Sequence, residues 1–161
     1  MSQLYDMLRK YLSLVECETS ILSAFTLIKE TYQNGGKLLI CGNGRSSADS
    51  EHIVGELMKE FILKRKIPES DSAKIKAASN ANGEYICANL QGALPAISLV
   101  SQSSIISAYS NDVASDMVFA QQVYGYAKQG DCFIGISTSG SSKNVVYAAE
   151  TAKAMSMKTI A

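Results

Sequence analysis

Apolar residues recur every three or four positions through the opening segment. Leu4, Leu8, Tyr11, Val15, Leu22 and Phe25 follow helical spacing, and neither glycine nor proline occurs before Asn34-Gly35-Gly36. This predicts an N-terminal helical segment over 1–34, one helix or two, stopped by residues that tolerate positive φ. KLLIC, Lys37 to Cys41, is a short continuous apolar run that suits a buried strand. The spacing then predicts a helix to about Phe61, capped by Ser46 or Ser47, with Ile53, Leu57 and Phe61 on one face. Residues 64–94 are polar and poor in large apolar groups, and they read as a surface insertion with short helices, mobile unless a partner covers it. PAISLVS predicts a second strand. A short helix from Ser103 to Tyr109 should end at Ser110-Asn111-Asp112, and a longer one should follow with Met117, Ala120, Tyr124 and Ala127 on one side. CFIGIS reads as a third strand, Val145, Ala149 and Ala152 mark another helix, and KTIA begins a fourth strand.

Strands and helices alternate, and the strands are apolar throughout. That pattern predicts one α/β domain: a doubly wound parallel sheet flanked by helices, a flavodoxin-like three-layer sandwich. Ligands of such sheets bind beyond the carboxyl ends of the strands. Two strand ends here lead into small polar turns, GNGRSS and STSGSS.

Composition narrows the classes. The 161 residues suit a single domain, and fifteen basic residues balance fifteen acidic ones, so no overall basic field exists to gather nucleic acid. No apolar run has the length of a membrane span, and the amphipathic N-terminus does not read as a signal peptide. Cys17, Cys41, Cys87 and Cys132 form no CxxC pair and read as reduced, mostly buried thiols of a cytoplasmic protein.

Ser137-Thr138-Ser139-Gly140-Ser141-Ser142 joins a buried strand to a helix start. Unpaired N–H groups and the helix dipole favour an anion there, and the hydroxyls add donors. The turn matches neither the Walker pattern nor GxGxxG; the plainer reading is an N-cap with serines filling a turn. In the other turn, Gly42-Asn43-Gly44 permits a tight bend before the helix. His52, the only histidine, and Glu56 stand at i and i+4 and share a face. They read as two metal ligands, as an acid/base and its neighbour, or as a surface hydrogen bond. Asn111-Asp112 could bind sugar hydroxyls or serve turn chemistry alone. Tyr109, Tyr124, Tyr126 and Tyr147 read as packing residues.

GNGRSSADSEHIVGEL, SAYSND and GISTSGSSKNV, in that order and spacing, resemble the sugar isomerase (SIS) domain, and within it the phosphoheptose isomerase family, from Gly35 to Ala161. The resemblance implies that Ser137, Thr138, Ser139 and Ser142 hold a sugar phosphate. It implies that Asn43, Gly44, Arg45 and Ser46 form a first substrate loop, and Asn111 with Asp112 a second. His52 and Glu56 would be a pair of zinc ligands, one ion per subunit, with Glu56 also a catalytic acid/base. The implied reaction takes sedoheptulose 7-phosphate to D-glycero-D-manno-heptose 7-phosphate through an enediol, in a homotetramer with sites between subunits. The sequence departs from the family at Arg45, usually glycine, and in the longer 64–94 segment. The family continues past the fourth strand to a glutamine and a second histidine. The expectation is therefore a chain truncated after Ala161, with the remaining zinc ligands beyond it. The alternative is a non-catalytic SIS protein that binds a sugar phosphate or the replication initiator as a regulator.

Overall fold

Five consecutive buried residues, Leu38–Gly42, form the central strand β1. A computed structural model, which describes residues 2–161, places Leu38 and Ile40 in one core and Leu39 and Cys41 in the other. Side chains of a strand divide in this way when both faces are covered. Around β1 stand β2 (Ala96–Ser98) and β3 (Cys132–Ile136), with β4 (Lys158–Ile160) beyond β3. All pairs are parallel, in the order β2-β1-β3-β4.

The helices are α1 (Ser2–Lys10), α2 (Glu18–Gln33), α3 (Arg45–Met58), α4 (Glu69–Ala78), α5 (Gly83–Asn89), α6 (Ser103–Tyr109), α7 (Val118–Tyr126) and α8 (Lys143–Ala154). α2 and α3 cover one face through Ile28, Tyr32, Ile53, Val54 and Leu57. α7 and α8 cover the other through Phe119, Val123, Val145, Ala148 and Ala152. The predicted doubly wound architecture is therefore present.

Several boundaries differ from expectation. The opening segment is α1, a 3-10 stretch (Leu12–Cys17) and α2. Of its periodic residues only Leu8 is buried, while Tyr11, Val15 and Phe25 face solvent. Neither Ser46 nor Ser47 caps α3: the N-cap is Gly44, and both serines lie inside the helix. α3 stops at Met58 because Lys59 is extended (φ −123°, ψ 166°), which throws Phe61 outside the helix and leaves it exposed. β2 has three residues, not the expected seven. No break follows α6; the chain winds on through a wide π-helical turn (Ser110–Ala114) that carries Asn111 and Asp112. α7 buries Phe119, Ala120 and Val123, so Tyr124 points outward, and Tyr126 is also exposed; Tyr109 and Tyr147 are half-buried.

Residues 64–94 hold α4 and α5, fastened by Arg65. Its guanidinium donates to the carbonyls of Gly92 (2.7 Å), Leu57 (2.8 Å) and Lys59 (2.6 Å). Leu94 N–H reaches the Leu57 carbonyl at 2.9 Å, so the end of α3 lies level with the start of β2.

Asp131 is 3% exposed and fully partnered. Its carboxylate accepts from the backbone N–H of Lys37 (3.0 Å) and of Lys128 (2.9 Å) and from Lys37 Nζ. Its own carbonyl accepts from Lys158 N–H at 2.9 Å. One residue thus joins the starts of β1, β3 and β4. Asp131→Ala should destabilise the fold by about 3 kcal/mol, because two buried N–H groups and an ammonium lose their acceptor; urea titration measures it, and a loss below about 1 kcal/mol contradicts this role.

Burial pushes the Cys41 thiol up to about 12 and the Cys132 thiol up to about 11, whereas Cys17 is exposed and Cys87 half-buried. A thiol-specific disulfide reagent at pH 8 should therefore label Cys17 first and Cys87 more slowly. Cys41 and Cys132 should react only after unfolding; fast native labelling of either contradicts the packing.

Candidate active site between two strand-end turns

The sheet order reverses at β1, whose neighbours β2 and β3 are reached by crossovers on opposite sides. The crevice beyond the ends of β1 and β3 is the switch point where doubly wound sheets take ligands. The last paired residues are Gly42 and Ile136. Both polar turns leave the sheet there.

The first turn is close-packed. A Cβ on Gly42 would lie 2.6 Å from Ser46 Cβ and 2.8 Å from the Ser46 carbonyl oxygen, so only glycine lets α3 start this near the strand. Gly44 adopts φ 56°, ψ −119°, a combination that side chains disfavour. Ser46 N–H closes onto the Asn43 carbonyl (3.0 Å) and Ser47 N–H onto that of Gly44 (3.1 Å). Ser46 itself is buried, and its carbonyl accepts from Ser50 Oγ at 2.7 Å. Arg45, the first residue of α3, is exposed. A guanidinium at a helix N-terminus opposes the dipole unless an anion joins it.

The second turn gathers hydroxyls. Ser137 Oγ lies 3.1 Å from Ser142 Oγ and 3.4 Å from Ser139 Oγ, and Ser139 Oγ accepts from Ser141 N–H (3.3 Å) and Ser141 Oγ (3.2 Å). Ser142 is the N-cap of α8, yet its side chain makes no capping bond. A serine there ordinarily turns its oxygen onto the helix N–H groups; this one faces the other hydroxyls. Thr138 is exposed beside them. A cavity of about 400 Å³, lined by Ser137, Gly140, Ser142, Val146, Glu150 and Lys153 among others, opens along this turn.

The two turns touch. Asn43 Nδ2 donates to Asn144 Oδ1 at 2.9 Å, and Asn144 Nδ2 donates back to Asn43 Oδ1 at 2.9 Å. Asn144 was not singled out from the sequence. Its only signal there is an amide in the first turn of the helix that follows the serines.

Two of the remaining candidates, His52 and Glu56, stand apart from this cluster. His52 and Glu56 lie about 10 Å and about 16 Å along α3 from Arg45, at 1.5 Å per residue. Ser101 Oγ, just past β2, donates to Glu51 Oε1 at 2.8 Å, and Leu57 meets the start of β2. α3 therefore runs down the sheet, away from the serine turn, and Glu56 is near its far end. His52 is exposed and Glu56 half-buried. Glu56 Oε1 takes Lys59 Nζ at 3.2 Å, while the buried Oε2 has no hydrogen-bond partner among the described residues. Asn111 and Asp112 are exposed, with Asn111 Nδ2 donating to Asp112 Oδ1 at 2.8 Å.

An unpartnered buried carboxylate oxygen beside an imidazole suits a cation in part. Among the described residues, however, no group of three His, Cys, Asp or Glu could hold a metal ion. His52 and Glu56 do not make a zinc site without further donors. A larger cavity, about 510 Å³, lies between residues 60 and 91, away from both turns.

The SIS domain family model matches residues 4–86 and 88–161. The chain is 37% identical over 145 residues to the phosphoheptose isomerase of Chlorobaculum parvum, covering 89% of this chain and 58% of that protein. It is 38% identical over 146 residues to that of Citrifermentans bemidjiense, covering 91% and 62%. Among solved structures it resembles the phosphoheptose isomerase of Neisseria gonorrhoeae (TM-score 0.66, 29% identity, 98% of this chain and 65% of that one). It also resembles that of Francisella tularensis (TM-score 0.66, 25% identity, 99% and 74%). The chain thus spans about three-fifths of the length of the curated relatives it matches.

Because Ser142 does not cap α8, Ser142→Ala should lower stability by less than the roughly 1 kcal/mol of an ordinary cap. If the hydroxyl cluster holds an anion, the same change should weaken binding of a phosphorylated sugar about ten-fold, as expected for one lost charge-assisted hydrogen bond. Chemical denaturation and calorimetric titration separate the two; a large stability loss with unchanged affinity would return Ser142 to a capping role.

Proposed function

The chain belongs to the SIS domain family, and from that premise we propose that it is an aldose–ketose isomerase of phosphorylated sugars, with sedoheptulose 7-phosphate its substrate and D-glycero-D-manno-heptose 7-phosphate the product. The observation that carries this reading is the hydroxyl cluster of Ser137, Ser139 and Ser142 at the start of α8, with its N-cap serine turned to Ser137 and not to the helix N–H groups. An anion there would accept from these hydroxyls and from the helix N–H groups, and it would relieve the placement of Arg45. Thr138 adds a hydroxyl on the same turn. Asn43, Gly44 and Ser46 would flank the sugar, and Asn111 with Asp112 present a carboxylate and an amide to its hydroxyl groups.

Isomerisation moves a proton between adjacent carbons by way of an enediol. Glu56 is the residue we assign to removing and returning that proton, since a carboxylate with one unpartnered oxygen can accept it. His52, one helical turn before it, orients the carboxylate or the substrate oxygens. Grip on the phosphate aligns the reacting carbons with the base. Zinc stays a proposal that requires donors beyond those described: His52 and Glu56 would hold it, and when bound it supplies Lewis-acid polarisation of the substrate oxygens.

Within one chain Glu56 and the serine turn lie toward opposite ends of α3. This favours sites shared between copies, and we propose a homotetramer. Tyr5, Tyr11, Leu12, Val15 and Phe25 form an exposed apolar surface beside a groove of about 330 Å³ lined by Leu4, Met7, Ile21, Leu22 and Phe25 among others. So much apolar exposure marks an association surface. Among the described residues no helix is long and apolar enough to cross a membrane; a cytoplasmic location accords with that.

The test is incubation with sedoheptulose 7-phosphate, with and without added zinc, followed by NMR for the aldose. Product should form, and Glu56→Gln should remove turnover by at least about 10³-fold while binding changes little. Full activity in that variant takes Glu56 out of the role. Tight binding by the unmodified protein without turnover would replace the isomerase by a sugar-phosphate binder.

A further inference from the structure

We propose that Asn144 is a positioning residue of this site, holding the Asn43 side chain and so tying the turn after β1 to the turn after β3. What the turns bind rests on the isomerase reading; the tie itself rests on geometry alone. Val145 N–H donates to Asn144 Oδ1 at 3.0 Å. Val145 N–H also donates to the Ser142 carbonyl at 3.0 Å; an amide nitrogen facing it would set donor against donor, so the atom there is the oxygen, and Nδ2 is left toward Asn43. Asn43 must then offer Oδ1 to this nitrogen and Nδ2 to the oxygen, which is the reciprocal pair at 2.9 Å in each direction.

Few side chains can make this ring. It needs a donor and an acceptor side by side on each partner, and a primary amide provides both at neutral pH without a charge. After pairing, each amide nitrogen still carries a second hydrogen that a ligand can accept. Ser142 stands two residues before Asn144, and Gly44 follows Asn43 directly. The ring therefore sets the separation between the hydroxyl cluster and the start of α3. A ligand with an anion on one turn and hydroxyls on the other meets two halves already at fixed spacing.

An amide in the first turn of α8 also has a local role, as acceptor for Val145 N–H. Asp keeps that role and suits the helix dipole, but its second oxygen would oppose Asn43 Oδ1. The variants Asn144→Asp and Asn144→Ala therefore separate the tie from the local bond.

In ligand-free protein, amide hydrogen exchange should speed up about five-fold or more at Ser46 and Ser47 in both variants, while the body of α8 in Asn144→Asp stays within about two-fold of the original. For affinity, the probes are sedoheptulose 7-phosphate and inorganic phosphate. Asn43→Ala and Asn144→Ala should each weaken the sugar phosphate about ten-fold, and the double variant should be no more than about three-fold worse than either. Unchanged exchange at Ser46 and Ser47 overturns the tie, and so do affinity losses that multiply in the double variant. Failure of the unmodified protein to bind either probe would sink the isomerase reading, while the exchange comparison would still decide the tie.

Discussion

The pairing of β1 with β3 is the constraint from which the site follows. Five residue pairs, from Leu38 with Cys132 to Gly42 with Ile136, run without a break between two hydrophobic cores. At the starting edge Asp131 binds both strands through backbone and side chain. At the finishing edge the chain leaves the sheet in two tight turns that meet through paired amides. A slip of one residue would exchange the faces of a strand and bury the wrong side chains. The same register that fills the cores therefore brings a glycine turn and a serine turn to one place.

Chemistry is divided along the sheet. The groups proposed to grip the anion sit where helices begin, because there N–H groups lack partners within the helix. The carboxylate assigned to proton transfer sits far down α3, level with the start of β2. A phosphorylated sugar has the matching asymmetry, charged at one end and reactive at the other. The distance along α3 then decides how much of the proposed machinery a single chain can offer, and the exposed apolar residues spread over α1, the 3-10 stretch and α2 are the support for the proposed association of copies.

Much of this was legible in the order of residues. Continuous apolar runs at Leu38 and Cys132 marked strands covered on both faces, and the two small-residue turns marked the crevice. Boundaries were harder. Ser46 looks like a helix cap, but Gly42 lets the helix begin a residue earlier and draws that serine inside. Phe61 continues the period of α3, yet the extended backbone at Lys59 removes it. Tyr124 and Tyr126 read as packing residues and lie outside, since α7 presents Phe119 and Val123 to α8. Asn144 has only its place in the first turn after the serines to mark it, because its partner is 101 positions away and only the parallel pairing of two strands brings them together.

Arg65 gives the 64–94 segment an unusual kind of attachment. The guanidinium grasps three main-chain carbonyls, and none of those bonds depends on which side chain stands at the accepting position. The two helices between its anchor points are consequently modular. Their length and composition can drift, or be exchanged wholesale, while the splice to α3 and β2 keeps its shape. Diversity among relatives in this stretch would then accumulate without disturbing the carboxylate one residue before Leu57.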